Sequence, residues 1–355
     1  MRIIPWWKLA LPFSWFLSFV AAGCGGGAGA PPEGPAETLV VASFGGAWQE
    51  AQTSAVFEPF AEATGVAVDQ REYAGEYELL RDHGAAGEWD VVDVEPAELL
   101  HGVEEGIFEP IDYTAIDRAA LLPSAIHEYG VGLMTYSIVL GHSTEAFADA
   151  EAAPSTWADF WDVARFPGQR ALRDNPQWML EIALLADGVP AAALYPLDLD
   201  RAFAALDRLR DHVVLFDDWA QPGELLTSGE AALAVGTNGR LAAARDAGAP
   251  VAFSWQGGVV SSDYFVIPKG SRNKQRAQEL VAYAVSLEAQ SAFPLHIDYG
   301  PVRTDASEAL PEEIQRRLPS YAPHMDEAVT FDAGWWREHE EEANRRWADW
   351  VRSFG

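Results

Sequence analysis

The sequence predicts an α/β protein of two lobes. Short runs rich in β-branched residues alternate along the chain with amphipathic helical stretches, and this alternation is typical of βαβ units that build a parallel sheet. The chain has 355 residues, which is more than one hydrophobic core usually supports. Apolar residues make up 49% of it and charged residues 22%, a composition that excludes disordered, collagen-like and coiled-coil chains.

The amino terminus has the features of a bacterial signal peptide. Two basic residues flank an apolar run over residues 9–22, which is too short to span a bilayer. Small residues precede Cys24, the only cysteine, and the sequence AAGC resembles a lipobox. We therefore predict a lipoprotein signal peptide over 1–24, a lipid on Cys24, and a flexible Gly/Pro-rich tether over 25–38. The protein is then exported to the periplasm or the cell surface, with the lipid as its only contact with the membrane; a free thiol after ordinary cleavage is the alternative.

The elements of the first lobe follow the tether. They are a strand over 39–43, a helix over 47–63, a strand over 66–70, a helix over 75–86 and the strand WDVVDVE over 89–95. Strand alternation puts Asp93 and Glu95 on one face at the carboxyl end of that last strand. Open α/β sheets bind ligands at this edge, so both acids are candidate ligand-binding residues, with helix capping or surface solvation as the alternative.

A second set of elements predicts the second lobe. It comprises a helix over 155–164, a strand over 170–174, a helix capped by Asn175 with Pro176 in its first turn, a helix over 199–211, and the strands VVLFDD and AALAVG. The cap puts Trp178 in the first turn and Glu181 one turn later on the same face. Two glycine-containing β-rich crossings, 129–143 and 259–268, suit hinge strands; helices over 273–291 and 337–351 follow.

Charge and motifs restrict the function. The formal net charge of −30 argues against nucleic acid as a partner, although halophilic or solubility adaptation explains this composition equally well. The sequence contains no GxSxG, HExxH or GxxxxGK[ST] motif, and no histidines spaced as zinc ligands. We therefore expect a protein that is not an enzyme and has no cofactor and no metal.

Asp263 is the strongest single candidate for a binding residue. It lies between Ser262 and Tyr264 in the second crossing, where a buried acid needs a cationic partner. Several stretches together, among them VASFGGAWQEAQTSAVFEPF, WDVVDVEPAELLHGVEEGIFEPID, LLTSGEAALAVGTNGR, SDYFVIPKGSRNKQRAQELVAYA and YGPVRTDA, resemble the polyamine (spermidine/putrescine) solute-binding proteins of bacterial ABC importers. The resemblance covers nearly the whole chain after the signal peptide.

The resemblance implies a two-lobe periplasmic-binding-protein fold of type II, with hinge strands that let the lobes close on a ligand. Lobe 1 then comprises 38–138 and 262–305, and lobe 2 comprises 139–261 and 306–355. The implied function is to capture a small amine such as putrescine or spermidine between the lobes and to deliver it to a membrane permease. We expect the protein to be a monomer.

The resemblance also implies which residues bind the ligand. The family's amine-binding acid corresponds to Asp263, and the aromatic residue of its Tyr-Pro loop corresponds to Tyr299. Its small polar position after the third strand falls near Glu95, and its opening motif puts Phe44 and Trp48 beside the cleft.

The sequence departs from the family at aromatic positions. Thr237 and Ser261 stand where the polyamine binders have tryptophan, and Trp178 stands where they have an acid. Glu181 and Trp336, of the Trp335–Trp336 pair, are candidates to supply the acid and the ring instead. For both tryptophans, Trp178 and Trp336, packing inside a lobe is the alternative.

These departures leave the ligand open. Helix N-termini in the cleft, after Gly45-Gly46 and after Asn175, attract anionic groups. A zwitterion such as 4-aminobutyrate or an opine is therefore the alternative to a diamine. A sugar, a ferric ion and an exported hydrolase are weaker alternatives, since Tyr299 has no paired tyrosine nearby and catalytic motifs are missing.

Overall fold

We describe residues 38–354 of a computed structural model of the chain. The predicted signal peptide and Cys24 lie outside the described residues, as does the tether up to residue 37. None of the helices within residues 38–354 is both long enough and apolar enough to cross a membrane.

The fold alternates strands and helices as the sequence predicts. The strands are β1 (Thr38–Ser43), β2 (Ala67–Glu72), β3 (Val91–Val94), β4 (Ile126–His127), β5 (Gly130–Ser143), β6 (Arg170–Arg173), β7 (Val213–Phe216), β8 (Leu233–Thr237), β9 (Val251–Val266), β10 (Gly300–Pro301) and β11 (Val329–Thr330). The helices are α1 (Gly46–Gln52), α2 (Glu58–Thr64), α3 (Tyr77–Ala86), α4 (Pro96–Glu105), α5 (Trp157–Trp161), α6 (Met179–Ala186), α7 (Leu199–Asp207), α8 (Gln221–Ser228), α9 (Asn238–Asp246), α10 (Lys274–Ala284), α11 (Leu287–Ala292), α12 (Thr304–Ala309), α13 (Glu312–Gln315), α14 (Ala322–Met325) and α15 (Ala333–Arg352).

The sheet has the order β2-β1-β3-β9-β5-β8-β6-β7. Its two ends are parallel, as predicted: β1 pairs with β2 and β3 in the first lobe, and β6 pairs with β7 and β8 in the second. The long strands β5 and β9 are antiparallel to each other, β9 is antiparallel to β3, and β5 is antiparallel to β8. The short strand β11 pairs with β9 in parallel. The strands β5 and β9 contain the predicted crossings, and their pairing shifts register between Gly132 and Thr135 and again between Ile138 and Leu140.

Buried side chains cover both faces of the sheet. In the first lobe, Leu39 and Val41 of β1 belong to the main core, whereas Ala42 packs on the other face with Val92 and Val94 of β3. A third cluster forms around Val139 and Leu241 in the second lobe. Burial on both faces explains why the strands are rich in aliphatic residues throughout rather than alternating strictly with polar ones.

Several predicted helices have different boundaries in the structure, and two of these differences have a clear local cause. The predicted helix over 273–291 is two helices, α10 and α11, because the Ser286 hydroxyl accepts a hydrogen bond from the Ala289 backbone N–H at 3.2 Å and starts a new helix. The prediction that Asn175 caps a helix is wrong. Its Oδ1 accepts a hydrogen bond from Gln177 N at 2.9 Å and closes a turn, and α6 begins only at Met179.

The carboxyl-terminal helix α15 contacts both lobes. Arg337 pairs with Glu104 of α4 in the first lobe, while Trp336 Nε1 donates to Glu181 of α6 in the second at 2.5 Å. Residues 306–355, which the sequence analysis assigns to lobe 2, therefore also contact lobe 1. The lobe boundaries stay a prediction.

Candidate functional site

A cavity lies between the two lobes, at the edge where their strands end. Its volume is about 320 Å³, counting space open to solvent. Most of the candidates from the sequence meet there: Asp263, Tyr299, Glu95, Phe44, Trp48 and Thr237. Tyr136, Trp219 and Arg240 complete the lining, and sequence reasoning missed these three.

Asp263, in β9, is a buried carboxylate that forms no ion pair with any of the described residues. The residue is 8% exposed, and its Oδ1 has no hydrogen-bond partner within residues 38–354. Burial raises the pKa of Asp263 well above its usual value, and the nearby acids Asp93, Glu95 and Glu98 raise it further. A buried carboxylate in this position is suited to bind a cation that comes from outside the chain.

Arg240 supplies a positive charge to the same cavity. It lies in the first turn of α9, directly after β8, and its Nη2 donates to the backbone carbonyls of Phe44 at 3.1 Å and Gly45 at 3.3 Å. Within the described residues it forms no ion pair with an acid. A Cβ at Gly46 would lie 3.0 Å from Arg240 Nη1, so glycine leaves room for the guanidinium. Arg240 therefore reaches across the cleft with its charge uncompensated.

Glu95 and Arg173 form an ion pair at the border of the cavity. The distance between Glu95 Oε1 and Arg173 Nη1 is 3.1 Å, and the side chains are 10% and 9% exposed. Glu95 also caps α4: the Glu95 side chain accepts from the Glu98 backbone N–H, and the Glu98 carboxylate accepts from Glu95 N at 2.8 Å. The charge of Glu95 is thus balanced inside the protein, unlike that of Asp263.

Aromatic side chains form the walls. Trp48 packs against Tyr299 with ring centroids 5.2 Å apart, and the Tyr299 hydroxyl donates to Thr237 Oγ1 at 2.9 Å. A side chain at Gly239 would collide with the Tyr299 ring, so α9 can start this close only with glycine there. The threonine that replaces a tryptophan platform therefore holds Tyr299 by a hydrogen bond instead.

Asp93 lies behind the cavity rather than in its wall. Its Oδ2 accepts hydrogen bonds from Trp48 Nε1 at 2.6 Å, Ser43 Oγ at 2.9 Å and Gln52 Nε2 at 2.8 Å. Burial raises the pKa of Asp93 to about 7. This acid positions Trp48, and its place in the structure gives it no contact with the cavity.

Trp178, Glu181 and Trp336 also lie outside the cavity lining. Trp178 is fully buried and packs on Trp219, which itself lines the cavity. Glu181 Oε1 accepts hydrogen bonds from Tyr195 at 2.6 Å and from Trp336 Nε1 at 2.5 Å, and burial raises its pKa to about 7. Trp178, just before α6, and Trp336, on α15, are both fully buried, in agreement with the packing alternative for the two tryptophans.

The two arginines that the sequence analysis missed do have a signal in the sequence. Arg173 is the last residue of β6, and Arg240 follows β8 by three residues, so both stand at the sheet edge that carries Glu95.

Within residues 38–354, no group of three His, Cys, Asp or Glu side chains is arranged to hold a metal ion.

Comparison with known proteins decides the family. The sequence profile of the bacterial extracellular solute-binding proteins matches residues 55–320. This chain belongs to that family. Membership confirms the predicted resemblance to bacterial solute-binding proteins, and the solved relatives confirm the two-lobe fold. The family is extracellular, which agrees with export, and its members are transport proteins rather than enzymes. Lipid attachment at Cys24 stays a prediction.

Individual relatives of this solute-binding protein differ in ligand. It is 37% identical to a γ-aminobutyric acid-binding protein of Pseudomonas aeruginosa over 91% of this chain and 93% of the relative. The solved structure of the protein described as the Atu4243 GABA receptor is 35% identical, with a TM-score of 0.78, over 88% of this chain and 97% of that one. The complex of AgtB from A. tumefaciens R10 with agropinic acid is 31% identical, with a TM-score of 0.82, over 89% and 99%. Spermidine/putrescine-binding proteins, such as that of Escherichia coli, are 23% identical over 82% of this chain and 84% of the relative.

Proposed function

We propose that this protein captures a small zwitterion with an ammonium group at one end and a carboxylate at the other, as in 4-aminobutyrate. The observation that carries the proposal is that Asp263 and Arg240 line one small cavity, each without an opposite charge from the described residues. The ammonium binds Asp263 and the carboxylate binds Arg240, while Trp48 and Tyr299 enclose the methylene groups between them.

The charge balance favours a zwitterion over a diamine. Glu95 is compensated by Arg173, so the cavity offers one free carboxylate and one free guanidinium. A neutral zwitterion leaves both of these charges paired. Putrescine would bring two ammonium groups, and the second would be desolvated next to Arg240 without an anionic partner.

Relatives at higher identity support the same choice. The P. aeruginosa relative, at 37% identity, binds γ-aminobutyric acid, whereas the polyamine-binding relatives are 23–24% identical. An opine is the second candidate ligand, because the 31% identical AgtB binds agropinic acid. The ligand proposed here is therefore the zwitterion that the sequence analysis gave as its alternative, and not the diamine that it gave first.

We also propose that the protein is anchored at Cys24, acts as a monomer and delivers its ligand to an ABC permease. The lipobox-like AAGC sequence and the extracellular family support the anchor, and membership of a transport family supports the permease.

A thermal-shift experiment with matched arginine variants tests the proposed ligand. Saturating 4-aminobutyrate, at a hundredfold excess over its dissociation constant, should stabilise the wild type by about 2.7 kcal/mol. Arg240→Gln should lose this stabilisation. Arg245→Gln is the control, because Arg245 lies on the same helix but pairs with Asp246 and Asp298 outside the cavity. Equal responses of the two variants, or a response to diamines alone, would refute the proposal.

A further inference from the structure

A second cavity adjoins the ligand cavity. We call the cavity described above the inner cavity and this one the outer cavity. The outer cavity has a volume of about 460 Å³, counting space open to solvent. The lining residues that matter here are Tyr77, Glu95, Glu98, His101, Arg173 and Glu340. Glu95 lines both cavities, and its ion-pair partner Arg173 lines the outer one. The Glu95–Arg173 pair thus forms the border between them.

Each half of this ion pair is held in place by its own lobe. Glu95 is fixed at the start of α4 by the reciprocal capping hydrogen bonds with Glu98. Arg173 ends β6, and its guanidinium carbon lies 4.8 Å from the ring centroid of Trp219 and 5.4 Å from that of Trp178. Trp178 reaches this position with a φ of 62°, a conformation that non-glycine residues rarely adopt. Contacts on both sides therefore hold the pair in place.

The two cavities differ in charge. The inner cavity is balanced once Glu95 is paired, as argued above. The outer cavity contains two further carboxyl groups, those of Glu98 and Glu340, beside the paired Glu95 and Arg173. Burial, and then the charge of Glu95, raise the pKa of Glu98 well above its usual value. The stacked rings of Tyr77 and His101, with centroids 4.2 Å apart, form part of its wall. A ligand long enough to pass the ion pair would meet acidic surroundings.

We propose that the Glu95–Arg173 ion pair determines the charge and the length of the ligand. It neutralises Glu95, so that the inner cavity accepts one ammonium group only, and it separates the inner cavity from the acidic outer cavity. Short zwitterions fit this arrangement, and diamines do not. The inference rests on the proposed function, because it explains the selectivity of that same site.

Two substitutions test the pair in opposite directions. Arg173→Gln leaves Glu95 as a second free carboxylate beside Asp263, so putrescine should bind about tenfold more tightly or better than it binds the wild type. The affinity ratio of 6-aminohexanoate to 4-aminobutyrate should also rise, because the border is open. Glu95→Gln leaves Arg173 uncompensated instead, so binding of glutamate, which has an additional carboxylate, should improve by a similar factor. Isothermal titration calorimetry on the full protein measures all of these affinities.

A double variant and a distant arginine provide the controls. Glu95→Gln/Arg173→Gln removes both charges, so its affinity for putrescine should not rise above that of the wild type. Its affinity ratio of 6-aminohexanoate to 4-aminobutyrate should still be higher than that of the wild type. Arg208→Gln removes one positive charge at an exposed site paired with Asp187 and should keep the selectivity of the wild type. Wild-type selectivity in both single variants, or a putrescine gain in the double variant equal to that in Arg173→Gln, would overturn the inference. Failure of the wild type to bind any zwitterion would refute the proposed function instead, so the two failures are distinguishable. If Arg173→Gln does not fold, Glu95→Gln still decides the question through glutamate.

Discussion

Substitution of Asp263 by asparagine separates a binding role from a structural one. The change keeps the size of the side chain and removes its charge. Loss of one partner from a buried pair of charged groups costs about 2–5 kcal/mol, and about 1.4 kcal/mol corresponds to a tenfold change in affinity. The dissociation constant for 4-aminobutyrate should therefore rise by about 30-fold to several thousand-fold.

In the absence of ligand, Asp263→Asn should be at least as stable as the wild type. Asp263 has no protein cation within the described residues, and burial already raises its pKa, so its charged form is unfavourable in the absence of ligand. Asparagine removes that cost at pH 8. We expect the melting temperature of Asp263→Asn to equal or exceed that of the wild type.

Asp298 is the matched control. It is 5% exposed, but its carboxylate is 2.9 Å from Arg317 Nη2 and it does not line the inner cavity. Asp298→Asn should leave ligand affinity nearly unchanged, because this carboxylate lies outside the inner cavity. Calorimetric titration and differential scanning calorimetry on both variants give the comparison. Retained affinity together with a lower melting temperature in Asp263→Asn would refute the binding role.

Two further predictions follow from the buried acids. Burial raises the pKa of Glu181 from 4.5 to about 7, so the folded state holds the Glu181 proton more tightly than the unfolded state does. The contribution of Glu181 to the free energy of unfolding should therefore fall by about 3 kcal/mol as the pH rises from about 4.5 to 7. Glu181→Gln should remove this part of the pH dependence in chemical denaturation without changing ligand affinity; an unchanged pH profile would contradict the assigned burial. Because the pKa of Asp263 is also raised, binding of an ammonium group at pH 6 should release protons, seen as a binding enthalpy that varies with the ionisation enthalpy of the buffer. Asp298→Asn should keep this release, because Asp298 does not line the inner cavity. Absence of the release from the wild type would argue against contact between the ammonium group and Asp263.

The sequence carried much of the fold because the strands and helices are local patterns. Asp93 lies in β3 and Glu95 directly after it, as alternation in WDVVDVE predicts, but only Glu95 lines the inner cavity. The alternation gave no information about their partners. Asp93 is occupied by Trp48, Ser43 and Gln52, which come from earlier segments of the chain, and only tertiary packing brings these donors together.

The positive charges of the site were harder to predict for a physical reason. Arginine side chains are long, and Arg240 acts by reaching from α9 of one lobe to the carbonyls of Phe44 and Gly45 in the other. The error at Asn175 had a local cause, since the same side chain that caps helices also closes short turns. Trp178 and Glu181, which were predicted to lie on the binding face, are both fully buried instead.

A crystal structure of the protein grown with 4-aminobutyrate tests the central claim most directly. The account predicts one ligand molecule in the inner cavity, with its nitrogen within hydrogen-bond distance of the Asp263 carboxylate and its carboxylate on the Arg240 guanidinium. It also predicts that the Glu95–Arg173 pair remains intact. A ligand in the reverse orientation, or a ligand that breaks this pair to reach Glu95, would contradict it.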